Sequence, residues 1–491
     1  MSPTGDTSTD LTLLGVILAA LGLTARVVAL GVIPGGRRPS TGMAWLLLVL
    51  LSPLIGLVAF WFFGSNHVGK SRRRRLSEVN ERIRAATAAV PEASTDLRPS
   101  VLGVTRLNRT LTSLPVTPGN AVTVLEDYRG SITEMAAAVR AAREYVHVEF
   151  YITAWDEVTE PLLDALAEAA ERGVEVRLLF DHLGSRGIPG YQDLLTRLDA
   201  TGIRYHPMLP IEPLRGRFRR PDLRNHRKLL VVDGSVGFTG SQNLTEPGYN
   251  KPKNHKVGRA WVELMVRLEG PVVAELDAVF ASDWLLESGE PLEVRVRTAP
   301  GSADVDAAGV LAQVVPSGPG YDTENNLRMF TSLIYAAERR ISLTSPYFVP
   351  DESLLYAVTT AAQRGVEVEL FVSEESDQFM VGHAQSSYYR ALLEAGITVR
   401  LYPAPYVLHS KHFTIDDDVA VIGSSNMDLR SFALNYEVSL LMLGEDVVRR
   451  MRTVEDHYRS LSRTLTLDEW SRRPARLKYL DNVMRLTAAL Q

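Results

Sequence analysis

Residues 225–243 read NHRKLLVVDGSVGFTGSQN, and residues 408–426 read LHSKHFTIDDDVAVIGSSN. Both fit H-x-K-x4-D-x6-G-S-x-N. The first copy supplies His226, Lys228, Asp233, Gly240, Ser241 and Asn243; the second supplies His409, Lys411, Asp416, Gly423, Ser424 and Asn426. A lone H-x-K on a strand is most often a surface accident, but six specified residues recurring at fixed spacing are not. Each copy reads as a strand pair. Residues 227–232 are apolar and β-rich, Asp233-Gly234 is a turn dipeptide, and 236–239 return as the partner strand. Residues two apart on a strand share a face. His226 and Lys228 therefore point one way, as do Ser241 and Asn243. Asp233 lies an odd number of positions from His226, which suits a holder of the turn, although it is counted with Asp416 in the candidate catalytic set. An imidazole, a cation, a hydroxyl and an amide converging on one patch suit a phosphate group, whose oxygens the lysine and polar donors stabilise.

A metal site is not expected. His409 and His412 are three apart, but the first copy has Leu229 in the equivalent place and the chain has no cysteine. The same lack removes disulfides and thiol chemistry. A length of 491 residues leaves room for two or three domains. The formal net charge of −5 does not indicate a nucleic-acid binder with a generally basic surface.

Two apolar runs, about 11–33 and 43–63, open the chain. Each can span a bilayer core of about 30 Å at roughly 1.5 Å per residue, so a two-helix transmembrane hairpin is expected. The rival reading of the first run, a cleaved signal peptide, is weakened because no Lys or Arg precedes Leu11 and a second run follows closely. Arg26 inside the first run reads either as a snorkelling side chain or as a sign that the span is shorter than 11–33. Lys70 and Arg72–Arg75 outweigh Arg37 and Arg38 in the loop, which places both ends of the hairpin, and the catalytic region, in the cytoplasm. The basic run is also expected to sit against anionic headgroups.

Residues 70–119 read as a basic flank and a proline-rich connection. Beyond them the chain repeats itself. Strand, helix, strand, helix and strand lead to the first motif, and the same order leads to the second. The joints ERGVEVRLLF (171–180) and QRGVEVELFV (363–372) are nearly identical, with Gly173 and Gly365 ending their helices. The fold class is α/β, with two similar lobes (120–295 and 296–491) packed about a pseudo-twofold so that the motifs form one pocket. Residues 300–312 read as a linker between lobes. The last segment, 467–491, either lies on the membrane or packs on the domain.

Between Arg204 and Lys228 a basic segment includes Arg215, Arg217, Arg219, Arg220 and Arg224, against only Glu212 and Asp222. It suits an anionic headgroup or any other phosphate. Glu263 and Glu437 each follow a motif on an expected strand. Either carboxylate can hold the far nitrogen of a histidine and fix its tautomer. Arg430 and Asn435 lie near the second motif as weaker candidates.

The doubled motif resembles that of the phospholipase D superfamily. The stretch VIPGGRRPSTGMAWLLLVLLSPLIGLVAFWFFGSN (32–66), with Arg38-Pro39, Ala44-Trp45, Pro53 and Gly56, and Phe63-Gly64, resembles the N-terminal hairpin of bacterial cardiolipin synthases. The resemblance implies a phospholipase D fold and a membrane phosphatidyltransferase without cofactor. It implies phosphatidylglycerol and other anionic phospholipids as partners, a phosphohistidine intermediate, and cardiolipin and glycerol as products. His226 is expected as nucleophile and His409 as acid and base, with the lysines, Asn243, Asn426, Ser241 and Ser424 on the phosphoryl oxygens. A phospholipase D-type hydrolase of phospholipid or nucleic acid would use the same residues with water as acceptor. A non-catalytic scaffold would show decay in one motif, and neither copy is decayed. Oligomeric state is left open.

Overall fold

Pro53 divides the second apolar run. The computed structural model describes residues 7–35, 39–64, 70–88, 90, 97–211, 220–293, 309–321 and 323–486. It forms two compact units, residues 1–67 and 68–491. In the first, helix Thr7–Val32 is followed by Pro39–Leu51 and Pro53–Phe63. Among the described residues one helix is long and apolar enough to cross a membrane, over Gly15–Val32. The second expected span is instead two helices of 13 and 11 residues. Ser52 leaves the helical region (φ −140°, ψ 86°) because Pro53 has no N–H to give and its ring crowds the preceding turn. Gly56 then backs onto Val49 so closely that a Cβ would lie 2.6 Å from its Cα. Arg26 does not sit alone: its Nε donates to the Leu50 carbonyl at 3.1 Å. Arg37, Arg38 and the side chain of Lys70 lie outside the described residues.

In the second unit the first lobe supplies β1 (Thr117–Leu125), β2 (Tyr145–Phe150), β3 (Glu175–Asp181), β4 (Arg204–Met208), β5 (Arg224–Asn225), β6 (Lys228–Val232), β7 (Val236–Gly240), β8 (Trp261–Val262) and β9 (Met265–Glu269). The second supplies β10 (Val310–Ser317), β11 (Arg340–Thr344), β12 (Phe348–Val349), β13 (Glu367–Ser373), β14 (Thr398–Tyr402), β15 (Val407–Leu408), β16 (His412–Ile415), β17 (Val419–Gly423), β18 (Met427–Asp428), β19 (Asn435–Leu443) and β20 (Arg463–Leu465). From the centre outward the first lobe runs β1-β9-β7-β6-β2-β3-β4, and the second runs β10-β19-β17-β16-β11-β13-β14 with β20 at the edge. Corresponding strands hold corresponding places. The lobes join where β1 pairs antiparallel with β10, making one sheet. In each lobe the strands reached through helices (β2-β3-β4, β11-β13-β14) are parallel, as crossover connections require. Gly173 and Gly365 end their helices at φ +89° and +93°.

The largest apolar cluster draws on both lobes. Phe280 and Trp284 of helix Val272–Ser288 meet Tyr436, Val438 and Met451 of the second half. Separate clusters fill the outer side of each lobe. The expected flank, 70–119, is more than a connection. Helix Lys70–Thr87 puts Val79 and Ile83 into the shared core, and helix Pro99–Thr112 joins the second lobe's cluster through Val101 and Val104. Arg72, expected at lipid headgroups, is buried; its guanidinium binds Glu287 at 2.7 Å and the Tyr436 hydroxyl at 3.0 Å. Of the expected linker, 300–308 lie outside the described residues and Val310 already begins β10. The last segment packs on the domain: helix Ala475–Arg485 lies on helix Phe379–Glu394, with Asp481 bound to His383 at 2.7 Å. Residues 487–491 are outside the described set.

Candidate active site

Each motif forms its strand pair, β6-β7 and β16-β17, and the turn between them needs a left-handed residue. Asp233 and Asp416 adopt it, at φ +50° and +49°. Their carboxylates face away from the histidines. Asp233 accepts from the backbone N–H groups of Arg143, Glu144 and Tyr145 at 2.8, 2.8 and 2.9 Å. Asp416 accepts from those of Glu338, Arg339 and Arg340 at 3.1, 2.7 and 3.0 Å. Seven residues of extended chain separate turn from histidine by roughly 23 Å. Both aspartates, placed in the candidate catalytic set on sequence, therefore tie the hairpin to its neighbouring strand instead.

The glycine before the serine has a different reason. A Cβ on Gly240 would lie 2.3 Å from the Leu264 carbonyl oxygen, and one on Gly423 would lie 2.2 Å from that of Val438. That close approach brings the serine to the glutamate two strands away in sequence. Ser241 Oγ donates to Glu263 and Ser424 Oγ to Glu437, each at 2.5 Å. The serines were expected on the substrate; the structure places them, fully buried, on the carboxylates.

The two halves then exchange partners. β5, just before His226, pairs in parallel with the start of β19, and β15, just before His409, pairs with β8. His226 N–H donates to the Tyr436 carbonyl and His409 N–H to that of Val262, both at 2.8 Å. In consequence His226 Nδ1 lies 3.1 Å from Glu437 of the second lobe, and His409 Nδ1 lies 2.6 Å from Glu263 of the first. The sequence marked both carboxylates but gave no sign that each serves the opposite half.

The two rings are held differently. His226 Nδ1 also lies 2.9 Å from the Ser424 carbonyl, which only accepts, so Nδ1 carries the proton and Nε2 the lone pair. His409 Nδ1 lies 2.6 Å from Glu263 and 3.1 Å from the Lys411 ammonium; a ring nitrogen serves one such partner, and Glu263 is the nearer. Burial pushes Glu263 up to about 8, consistent with a carboxylic acid at neutral pH. Glu437 stays below the usual carboxylate range: burial opposes ionisation, but His226, Lys228 and Ser424 outweigh it. Burial, assisted by the neighbouring lysines, lowers both histidines, His226 to about 4. Lys228 falls to about 7, through burial and Lys411, and Lys411 to about 8 through burial. Lys228 Nζ donates to the His226 carbonyl at 2.6 Å, and Lys411 Nζ to the His409 carbonyl at 2.5 Å.

Both histidines line one cavity of about 320 Å³ with Asn243 and Asn426. Asn243 Nδ2 donates to the Tyr249 hydroxyl at 2.8 Å, while Asn426 Oδ1 is buried with no partner. Arg224, Arg430 and Asn435 share the wall. The rest of the basic segment does not act as one patch. Arg204 pairs with Glu290, Arg220 with Asp222 and Arg227 with buried Asp283, while Glu212, Arg215, Arg217 and Arg219 lie outside the described residues. His412 is buried beneath the sheet with no hydrogen-bond partner. Among the described residues no three His, Asp or Glu side chains form a metal-binding group.

The walls also include Tyr151, Tyr249, Trp261, Tyr347, Asp377 and Gln378, which sequence reasoning missed. Tyr151 and Tyr347 follow the parallel strands β2 and β11. Ligands of α/β sheets gather outside the carboxyl ends of such strands, and that rule was the available signal.

A family described as cardiolipin synthase, phospholipase D-like domain, matches residues 135–284 and 330–458, and one described as phospholipase D-nuclease N-terminal matches 24–65. Cardiolipin synthase A of Proteus mirabilis (strain HI4320) is 32% identical over 461 residues, 91% of this chain and 92% of that protein. Cardiolipin synthase A of Yersinia pseudotuberculosis serotype IB (strain PB1/+) is 31% identical over 94% of each. The solved structure of phosphatidylserine synthase from Haemophilus influenzae Rd KW20 shares the fold, with a TM-score of 0.60, 16% identity, and coverage of 80% of this chain and all of that one.

Proposed function

This chain belongs to the cardiolipin synthase family of phospholipase D-like proteins, and we propose that it joins two phosphatidylglycerol molecules into cardiolipin and glycerol. The observation that carries the reading is the pair of histidines in one cavity, each backed by the other lobe's glutamate.

His226 is the nucleophile. Its Nε2 lone pair attacks the phosphorus of the first phosphatidylglycerol, and ionised Glu437 stabilises the positive charge that builds on the ring. The P–O bond to glycerol breaks. His409 gives its Nε2 proton to the leaving oxygen while Nδ1 takes the proton of Glu263, which is left as a carboxylate facing the ring. The glycerol hydroxyl of the second phosphatidylglycerol then enters, loses its proton to His409 Nε2 as Nδ1 returns one to Glu263, and attacks phosphorus. The P–N bond breaks and cardiolipin leaves. Lys228, Lys411, Asn243 and Asn426 hold the phosphoryl oxygens. Ser241 and Ser424 position the glutamates.

The apolar start supports a membrane anchor over residues 1–69 that crosses twice, the second time through the paired helices at Pro53, with the two catalytic lobes (to 295, and from 296) on the cytoplasmic side. The test is product analysis with phosphatidylglycerol as sole lipid in detergent. Cardiolipin with free glycerol, lost in His226→Ala and in His409→Ala, supports the reading. Phosphatidic acid as the only lipid product would replace it with a hydrolase.

A further inference from the structure

Three loops on one side of the cavity mouth carry apolar side chains into solvent. Tyr249, Lys251 and Trp261 of the first loop line the cavity, with Asp377, Gln378 and Val381 where the second loop enters the first turn of helix Phe379–Glu394. The third leads into β15. The loops bind one another. Arg259 pairs with Glu375 at 3.4 Å, Val407 N–H donates to the Ala260 carbonyl at 2.9 Å, and Gly258 faces the Pro405 ring. From between these fixed points project Val257, Phe379, Met380 and Tyr406, all exposed. Phe379 is 66% exposed, and beyond residue 67 it is the one exposed phenylalanine among the described residues. Lys253 and Lys256 stand exposed on the first loop's short helix and take no part in a described ion pair.

Apolar groups gathered at the rim of a binding cavity mark a contact surface rather than scattered exposure. The mixture identifies the partner. Aromatic and aliphatic side chains beside unpaired lysines match the boundary between acyl chains and anionic headgroups. We propose that this rim is a bilayer contact. Phe379, Met380, Val257 and Tyr406 enter the acyl boundary, Lys253 and Lys256 lie among the headgroups, and a phospholipid passes from leaflet to cavity without crossing water. The proposal rests on the lipid-substrate reading above.

The chain has no cysteine, so one introduced thiol labels one position. The full chain is placed in nanodiscs of phosphatidylcholine, with or without phosphatidylserine, carrying an environment-sensitive dye at Val257→Cys, Phe379→Cys, Tyr406→Cys or Arg143→Cys. The expected result is blue-shifted emission at the first three, quenched by lipid-borne nitroxide, with Arg143→Cys left aqueous. Phosphatidylserine increases the quenching, and Lys253→Glu with Lys256→Glu removes that increase. Aqueous emission at 257, 379 and 406 overturns the proposal. So does shielding that is equal in detergent, which would assign the rim to a second copy of the chain. The readout involves no turnover, so a failure to make cardiolipin leaves it standing or falling by itself.

Discussion

The two half-sites are alike in front and unlike behind. Toward the cavity each offers histidine and asparagine, with the histidine on the opposite lobe's glutamate and the serine holding the glutamate of its own lobe. Behind the first motif, Arg227 is buried against Asp283 and also donates to the Glu437 carbonyl at 3.0 Å. Behind the second, the same strand position is Ser410, whose buried hydroxyl has no hydrogen-bond partner, followed by buried His412. The backing differs in charge, and so do the glutamates: Glu437 is held ionised and Glu263 is pushed up. A twofold arrangement of atoms thus supports two different proton inventories, which a two-step transfer needs.

The strongest way to break this comparison is to trap the intermediate. Both histidine-to-alanine variants should lose turnover by about 10³-fold or more. His409→Ala should still form a radiolabelled phosphoprotein from labelled donor, and His226→Ala should not. Label in the second variant alone would exchange the roles. Next come the glutamates. Glu437→Gln removes the charge facing the nucleophile and should cost kcat/KM about 10²-fold or more. Glu263→Gln keeps a donor toward His409 Nδ1 and should cost about tenfold. Equal losses would mean the asymmetry has no consequence.

A pH profile sharpens the account further. Lys228 near 7 and Lys411 near 8 are cationic below those values and lose charge as pH rises. kcat/KM, which reports the free enzyme, should fall on the alkaline side with a midpoint between them. The turns give stability effects. Asp233→Ala or Asp416→Ala abandons three backbone donors and should lower stability by about 1–3 kcal/mol, read by thermal melting. The remaining folded enzyme should keep its kcat. The smallest effect concerns Leu229 and His412. Burial lowers His412 to about 3. The unfolded chain binds its proton first, so stability begins to fall as pH drops below about 6.5. His412→Leu, which copies the first lobe, should flatten that part of the acid-stability curve.

Much of this was legible before any coordinates. An apolar, β-rich run and a turn dipeptide marked the hairpins, and the duplicated joint at Gly173 and Gly365 marked the lobes. The motif named every catalytic candidate on the cavity wall. What failed did so for physical reasons. Hydropathy is blind to a proline inside an apolar run, so the break at Ser52-Pro53 did not register. Charge reads as exposed, so burial of Arg72 beneath the lobes left no sign in the sequence. The partner exchange was invisible because it depends on β5 meeting β19 and β15 meeting β8, pairings between segments far apart in the chain. The odd spacing of Asp233 from His226 already suited a turn holder, and only membership of the repeated motif kept Asp233 and Asp416 in the catalytic set.

That exchange has a consequence for ancestry. One lobe alone holds a histidine without its carboxylate and a carboxylate without its histidine. A single-lobe forerunner could work only as a symmetric dimer, lending each glutamate to its twin. In such a dimer every substitution appears twice, and the half-sites cannot differ. Fusion of the copies into one chain lifts that constraint. Arg227 opposite Ser410 and Leu229 opposite His412 are differences that only a fused gene can carry.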